Sequence, residues 1–156
     1  MAAEVTLLTA AHPLWEALCA YAARCPWQAG PYLAREMAAG RFAAWERVAA
    51  LRVDGEIAGF CTFTAQDELP EEYGFSPFIG FVYVEEGRRG RRYSQRMLEA
   101  VERYAASCGF AKVYLMSAEK GLYEKYGYRP LGEYSTIWGT RDQLFEKPTE
   151  DLGEIV

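Results

Sequence analysis

The chain has 156 residues, the length of one compact domain with its own hydrophobic core, so two domains are not expected. Its formal net charge is -5, from 17 basic and 22 acidic residues, which argues against a broad nucleic-acid-binding surface. With 51% hydrophobic and 25% charged residues, the composition is typical of a folded globular protein rather than a disordered one. We therefore predict a single domain spanning residues 1–156.

The sequence shows no sign of a membrane span, a leader or a metal site. No hydrophobic run approaches the roughly 18 residues that a transmembrane helix needs, and residues 1–25 lack the basic start of a signal peptide. The four cysteines form no CxxC pair, and His12 is the only histidine. This pattern argues against a zinc site and against a disulfide framework. We predict a cytoplasmic protein that binds no metal, no membrane and no nucleic acid.

Hydrophobic periodicity divides the first part of the chain into a strand, two helices and a hairpin. Residues 5–9 have the β-branched content of a strand, and residues 13–24 place their apolar side chains on one helical face. Residues 32–40 are predicted to form a second helix that ends at a glycine. Asp54-Gly55 then joins two runs rich in β-branched and aromatic residues, the pattern of a hairpin with a type I′ turn.

The second part of the chain alternates strands and helices after an acidic surface loop at residues 66–77. A near-continuous apolar run predicts a strand buried on both faces, and an amphipathic helix and a second buried strand follow it. Strand, helix and strand in succession imply parallel neighbours, within a mixed sheet with helices on both faces. A short helix and a further strand complete the pattern, and the tail from Arg141 has no legible pattern. The ranges of these predicted elements are 78–86, 93–108, 112–117, 119–128 and 129–140.

An arginine-rich turn, residues 85–92 and hereafter the arginine turn, connects the apolar strand to the amphipathic helix. The first amide groups of a helix have no partner within it, and the helix dipole adds positive charge there. Gly90 lets the backbone approach a ligand closely, and guanidinium groups suit phosphate oxygens. The alternative is a solvated basic loop balanced by Glu85 and Glu86, but the position after a central strand favours a phosphate site. The arginines are Arg88, Arg89, Arg91 and Arg92.

No Walker A or G-x-G-x-x-G pattern occurs, but residues 78–131 resemble the GNAT acyl-CoA N-acyltransferases. In that family a hydrophobic strand ends in an arginine or a glutamine. Two variable residues, a glycine and one variable residue follow, and then a glycine or an alanine opens a helix. Arg89 matches the arginine of the pattern, whereas Arg92 stands where glycine is usual and Ser94 where glycine or alanine is usual. "LYEKYGY", at residues 122–128, resembles the closing motif of the family.

The resemblance implies the GNAT fold, a central mixed and mostly antiparallel sheet that is splayed between a donor strand and the following parallel strand. It also implies acetyl-CoA as the acyl donor, with its diphosphate on the amides that open the helix. The pantetheine arm would add like a strand to the backbone of the donor strand. The residues expected to bind acetyl-CoA are Val82, Tyr83, Val84, Arg89, Gly90, Arg91, Arg92, Tyr93, Ser94 and Gln95.

Direct attack of a primary amine on the thioester requires a proton acceptor for the amine and a proton donor for the thiolate. Tyr123 matches the tyrosine that donates a proton to the thiolate in this family. For the base we predict Glu85, with the acidic loop, Glu119 and a water relay as alternatives, since residues 78–84 contain no carboxylate. Acidic and aromatic residues near the donor strand would suit a cationic amine. The residues predicted to bind this acceptor are Glu68, Glu72, Tyr73 and Glu119.

Two functions from different classes follow from these features. The first is an N-acetyltransferase that acts on a small-molecule or peptide amine, and Tyr123 with the Arg89-Gly90 pair favours it. The second is an acyl-CoA-binding or regulatory module without turnover, which Arg92 and the lack of an obvious base leave open. The sequence also leaves open a homodimer and does not name the acceptor.

Overall fold

The computed structural model describes residues 2–149, which contain seven strands and four helices. The strand order is β1-β2-β3-β4-β5-β7-β6, and β4 pairs with β5 in parallel whereas most of the sheet is antiparallel. The predicted mixed and mostly antiparallel sheet is therefore confirmed. The ends of the predicted domain, Met1 and residues 150–156, lie outside the described residues. The elements are β1 (Ala3–Leu8), α1 (Trp15–Ala23), α2 (Ala29–Ala39), β2 (Arg47–Val53), β3 (Glu56–Thr64), β4 (Phe78–Val84), α3 (Tyr93–Ser107), β5 (Lys112–Ser117), α4 (Leu122–Lys125), β6 (Arg129–Ser135) and β7 (Arg141–Pro148).

A first compact unit comprises residues 2–63 and 81–97 of the described chain. Its strands β1, β2 and β3 pair antiparallel in sequence order. The predicted hairpin turn is confirmed, since Asp54 and Gly55 both have positive φ angles, 51° and 85°. Helices α1 and α2 pack through a cluster of buried side chains shared with this sheet. The cluster contains Leu8, Trp15, Leu18, Ala22, Leu33, Ala34, Met37, Val48, Ala50, Phe60 and Tyr83.

The second compact unit comprises residues 64–80 and 98–149. Strands β4 and β5 pair in parallel at Phe78 and Ile79, which confirms the predicted strand–helix–strand connection. Strand β7 lies between β5 and β6 and is antiparallel to both. One buried cluster of this unit contains Leu69, Phe78, Met116 and Leu144. The unit therefore has buried side chains of its own, including one at the start of β4.

Strand β7 was not predicted, because charged residues interrupt its apolar pattern. The structure pairs those charges: Glu146 contacts Lys112 at 3.4 Å and also Arg129, and Lys147 contacts Glu102 at 2.8 Å. A buried strand can carry such residues when partners on neighbouring elements satisfy them. Side-chain pairing across the fold, rather than local composition, is what makes this segment a strand.

The acidic segment after β3 is a loop, as predicted, with one 3₁₀ turn at Glu71–Tyr73. It is not wholly a surface feature, since Leu69 is buried in the core of the second unit. A Cβ atom at Gly80 would lie 2.4 Å from a carboxylate oxygen of Asp67, so glycine at this position lets the loop lie against β4. No helix within residues 2–149 has the length and hydrophobicity to cross a membrane.

Candidate functional site

The arginine turn links the end of β4 to the start of α3 through a 3₁₀ turn at Glu86–Arg88. Gly90 and Arg92 both adopt left-handed backbone conformations, with φ angles of 85° and 60°. Glycine takes up this conformation freely, whereas a residue with a side chain does so at some expense of free energy. Arg92 therefore adopts, with a side chain, a conformation that favours glycine. Its side chain is exposed and lies 3.4 Å from the Gln95 amide oxygen.

Arg89 is held by the strand that precedes it. Its Nε donates a 2.8 Å hydrogen bond to the carbonyl oxygen of Val84, the last residue of β4. The guanidinium carbon also lies 5.8 Å from the centre of the Tyr83 ring, a cation–π distance. Two neighbouring residues of β4 thus hold the guanidinium group of Arg89, the arginine that matches the family pattern.

Glu85, the predicted base, has both carboxylate oxygens engaged. The Tyr21 hydroxyl on α1 donates a 2.9 Å hydrogen bond to Oε1, and the Nε of Arg88 lies 3.5 Å from Oε2. Arg88 is also 3.3 Å from a carboxylate oxygen of Glu56. Burial raises the pKa of Tyr21 far above its usual range, and its contact with the Glu85 carboxylate adds to this. The Tyr21 hydroxyl is therefore a donor at neutral pH.

The edges of β4 differ along its length. A Cβ atom at Gly59 would lie 2.3 Å from the Tyr83 carbonyl oxygen, and the Glu85 amide donates to the Ala58 carbonyl oxygen at 2.9 Å, so β3 lies directly beside this part of β4. The ladder between β4 and β5, in contrast, comprises Phe78 and Ile79 within the described chain. Phe81 follows with a φ angle of 50°, which interrupts the regular strand. The edge of residues 82–84 that faces away from β3 is therefore suited to an extended ligand.

An aromatic cluster in the first unit was not predicted. Trp27, in the connection between α1 and α2, is stacked at 6.1 Å on the Tyr83 ring with an interplanar angle of 12°. Tyr32 is stacked on Phe81 at 5.9 Å. Burial raises the pKa of Tyr83, and a hydrogen bond with Cys25 adds to this. The only signal in the sequence was the density of aromatic residues, which does not show which of them meet.

Tyr123, the predicted proton donor, belongs to the second unit. It lies on the short helix α4 and is only 6% exposed. Its ring packs against those of Tyr126, Tyr128 and Phe145, at centroid distances of 6.2, 6.1 and 5.8 Å. The closing motif thus forms a compact aromatic group around Tyr123.

The predicted acceptor residues also lie in the second unit, but in different settings. Glu68 shares a hydrogen bond with Asp142 on β7, and burial followed by this contact raises its pKa to about 8. The exposed ring of Tyr73 meets the Tyr134 ring edge-on at 5.2 Å. Glu72 and Glu119 are both exposed. The contact of Asp142 with Glu68 was not predicted, because Asp142 lies in the segment after Arg141, for which the sequence predicts no element.

Asp67 is a further carboxylate that stands out in this loop. Burial raises its pKa to about 6, and a hydrogen bond from the Glu68 backbone partly offsets this. Two adjacent residues of the loop therefore hold carboxyl groups that titrate near neutral pH. Such groups are candidates for acid–base chemistry.

Together, these observations define a strand–turn–helix unit with two left-handed residues in its turn, within a mixed sheet. The model of the acetyltransferase (GNAT) family matches residues 10–128, which is most of the chain. The chain therefore belongs to the GNAT family of acetyltransferases and is an acyltransferase. A comparison with curated protein sequences gives no match.

Several solved structures share this fold. An aminoglycoside 6'-N-acetyltransferase complexed with coenzyme A is 19% identical with a TM-score of 0.70, and the alignment covers 94% of this chain and 97% of that one. The aminoglycoside 6'-N-acetyltransferase from Enterococcus faecium is 19% identical with a TM-score of 0.71 and the same coverage, 94% and 97%. A GNAT family acetyltransferase from Elizabethkingia anophelis with acetyl-CoA bound is 16% identical with a TM-score of 0.62, again covering 94% and 97%. At these identities, the similarity shows a common fold.

Proposed function

We propose that this protein transfers an acetyl group from acetyl-CoA to a primary amine of a small-molecule or peptide acceptor, by direct attack in a ternary complex. The observation that carries the proposal is the backbone of the arginine turn. Gly90 and Arg92 have the left-handed conformations that shape the turn directly before α3. The solved structures that hold coenzyme A or acetyl-CoA support the choice of donor.

The residues of the first unit fit such a donor. A Cβ atom at Gly90 would meet no atom within 4 Å, so a ligand can approach the backbone there. The backbone amides at the start of α3 and the positive end of its dipole would hold the diphosphate. The open edge of residues 82–84 would pair with the pantetheine amides. Acetyl-CoA supplies the thioester, and this chain supplies the groups that bind and orient it.

The reaction involves two proton transfers, one from the amine and one to the departing thiolate. The acceptor amine attacks as the neutral base, so its ammonium form must first lose a proton. The C–N bond forms, the C–S bond breaks, and the CoA thiolate takes up a proton. We propose Tyr123 as the donor of that proton, because it occupies the tyrosine position of the closing motif. A phenol of pKa about 10 can donate to a thiolate of pKa about 8.5 at little expense of free energy.

Three carboxylates are candidates for the proton acceptor of the reaction. Glu85 is the predicted base, although Tyr21 and Arg88 contact its two oxygens. Asp67 and Glu68 have raised pKa values of about 6 and about 8, near the pH at which a general base works best. The pH dependence of kcat/KM in Glu85→Gln, Asp67→Asn and Glu68→Gln separates them. The base is the residue whose replacement removes the acidic limb of the profile.

For the acceptor we propose a cationic amine. Glu68 and Asp142 share a hydrogen bond whose proton a bound ammonium group could replace. The exposed Tyr73 ring, packed on Tyr134, offers a face for a cation–π contact. Aminoglycosides, the acceptors named for two of the solved structures, carry several such amines and are the first compounds to test.

The test is a thiol-release assay with acetyl-CoA and a panel of amines that includes aminoglycosides, polyamines and peptides. We expect saturable CoA release with at least one cationic amine, lowered by Tyr123→Phe about 10-fold or more. Tyr126→Phe is the matched control, because it removes the hydroxyl of another buried tyrosine in the same motif and should leave the rate nearly unchanged. Binding of CoA without release with any amine would instead support an acyl-CoA-binding module without turnover.

A further inference from the structure

A chain of polar contacts connects helix α1 to the arginine turn. It runs from the Tyr21 hydroxyl to Glu85 at 2.9 Å, from Glu85 to Arg88 at 3.5 Å, and from Arg88 to Glu56 at 3.3 Å. Tyr21 lies on α1, Glu85 and Arg88 lie in the arginine turn, and Glu56 lies at the start of β3. These contacts tie the first half of the arginine turn to two elements of the first unit.

We propose that Tyr21 is a positioning residue of the donor site, whose hydroxyl holds the Glu85 carboxylate on Arg88 and thereby fixes the arginine turn for acyl-CoA. This inference rests on the proposed function, because it concerns the donor of that reaction. Tyr21 touches neither the donor nor the reacting atoms in this scheme. It acts through Glu85.

The physical reason is the charge of Glu85. A carboxylate beside a diphosphate site repels the ligand unless nearby donors hold it in place and neutralise it. Tyr21 supplies a neutral donor to one oxygen, and Arg88 supplies a positive charge to the other. Arg88 also contacts Glu56, so its positive charge is balanced by carboxylates of the protein. Arg89 is anchored separately, through Val84 and Tyr83.

Removal of the Tyr21 hydroxyl would leave one oxygen of Glu85 without this donor. The carboxylate could then rotate towards Arg89 or the helix amides and compete with the phosphate oxygens for them. The ring itself packs on Phe60 and Tyr83 at centroid distances of 6.1 and 6.5 Å, and phenylalanine retains those contacts. Tyr21→Phe is therefore a deletion of one hydrogen bond with little change in packing.

The experiment measures CoA binding to the full-length chain by titration calorimetry, with steady-state kinetics on the amine that gives turnover. For Tyr21→Phe we expect the Kd of CoA and the KM of acetyl-CoA to rise between about threefold and tenfold. The kcat at saturating acetyl-CoA should change less than about twofold. The effect should shrink in 0.5 M NaCl, because salt screens the repulsion from Glu85. Tyr104→Phe, a half-buried tyrosine of the second unit, is the matched control.

A double-mutant cycle tests whether Tyr21 acts through Glu85. In a Glu85→Gln background the carboxylate charge is absent, so Tyr21→Phe should weaken CoA binding by less than about twofold. An unchanged Kd in Tyr21→Phe, an equal effect in both backgrounds, or a loss confined to kcat would each overturn the inference. If the wild-type chain binds no CoA, the proposed function fails together with it. CoA binding by the wild type with no response to Tyr21→Phe overturns the inference alone.

Discussion

The hydroxyl of Tyr128 donates a 2.6 Å hydrogen bond to the buried carboxylate of Glu102. This contact joins the last residue of the closing motif to helix α3. Lys147 on β7 pairs with the other oxygen of Glu102 at 2.8 Å, and its ammonium group lies 5.4 Å from the centre of the Tyr128 ring. Glu102 is thus a buried charge with two partners from different parts of the second unit, and both lose this contact if it is removed.

Glu102→Ala should therefore lower the free energy of unfolding by about 2 to 3 kcal/mol. The variant loses a buried ion pair and a hydrogen bond to a charged group, and the partial exposure of Lys147 places the loss towards the low end of the range. Urea unfolding followed by circular dichroism measures it. Glu99→Ala removes an exposed carboxylate from the same helix and should change the value by less than about 0.5 kcal/mol. Equal losses in the two variants would contradict this account.

Arg89→Lys should weaken CoA binding about threefold to tenfold, although the charge is retained. Lysine has no Nε donor in the place that bonds the Val84 carbonyl oxygen, and its ammonium group lacks the planar fork that suits phosphate. Titration calorimetry with CoA measures the effect. Arg103→Lys makes the same exchange at an exposed position of α3 and serves as the control. An Arg89→Lys protein that binds CoA as tightly as the wild type would show that the fork is not used.

The sequence predicted the parts of the fold whose signals are local. The pair Asp54-Gly55, the apolar run of β4 and the amphipathic face of α3 each specify their element through their own residues. Strand β7 could not be predicted, because Glu146 and Lys147 suit a buried strand only when their partners on other elements are in place. Helix α2 begins earlier than predicted, at Ala29, since Pro31 is tolerated in a first helical turn.

The candidate site also contains one part that the sequence predicts and another that it does not. The arginine turn was predicted, because its residues are contiguous and their spacing matches a family pattern. The contact between Tyr21 and Glu85 joins positions that are 64 residues apart, and nothing in the local sequence indicates it. The same holds for the contact of Glu68 with Asp142. Contacts over such separations depend on the packing of whole elements, which residue patterns alone do not specify.

Arg92 gives a test of the backbone of the arginine turn. Arg92→Gly should leave the Kd of CoA within about twofold and the free energy of unfolding within about 1 kcal/mol. Glycine relieves the strain at a φ of 60°, but it also increases the entropy of the unfolded chain. Arg92→Val should lower the free energy of unfolding by about 1 to 2 kcal/mol, because a β-branched side chain is poorly accommodated in this conformation.

The control for Arg92→Val is Arg91→Val, since Arg91 does not have a positive φ angle. Thermal unfolding of the two valine variants compares the same exchange at neighbouring positions. A clearly lower Tm for Arg92→Val is the expected result. Equal Tm values would show that the left-handed conformation at residue 92 is not required.

The raised pKa values of Asp67 and Glu68 predict that stability falls as the pH rises through neutrality. Their ordinary values are 3.8 and 4.5, and in the folded protein they are about 6 and about 8, mainly because of burial. The folded state therefore binds more protons than the unfolded state between about pH 4 and pH 8. Stability then decreases with increasing pH across this window. The charged groups that face one another here are Asp67, Glu68 and Asp142.

Asp67→Asn should flatten that dependence, because the amide has the shape of the carboxyl group and no charge to bury. We expect its free energy of unfolding to exceed that of the wild type by about 1 to 2 kcal/mol at pH 8, and to match it within error at pH 4. Urea unfolding at a series of pH values from 4 to 8 measures both limits. Glu72→Gln, an exposed carboxylate in the same loop, should retain the slope of the wild type. If Asp67→Asn gave the same slope as the wild type, the carboxyl group of Asp67 would not be the source of the dependence, and its suitability as a base near neutral pH would lose its support.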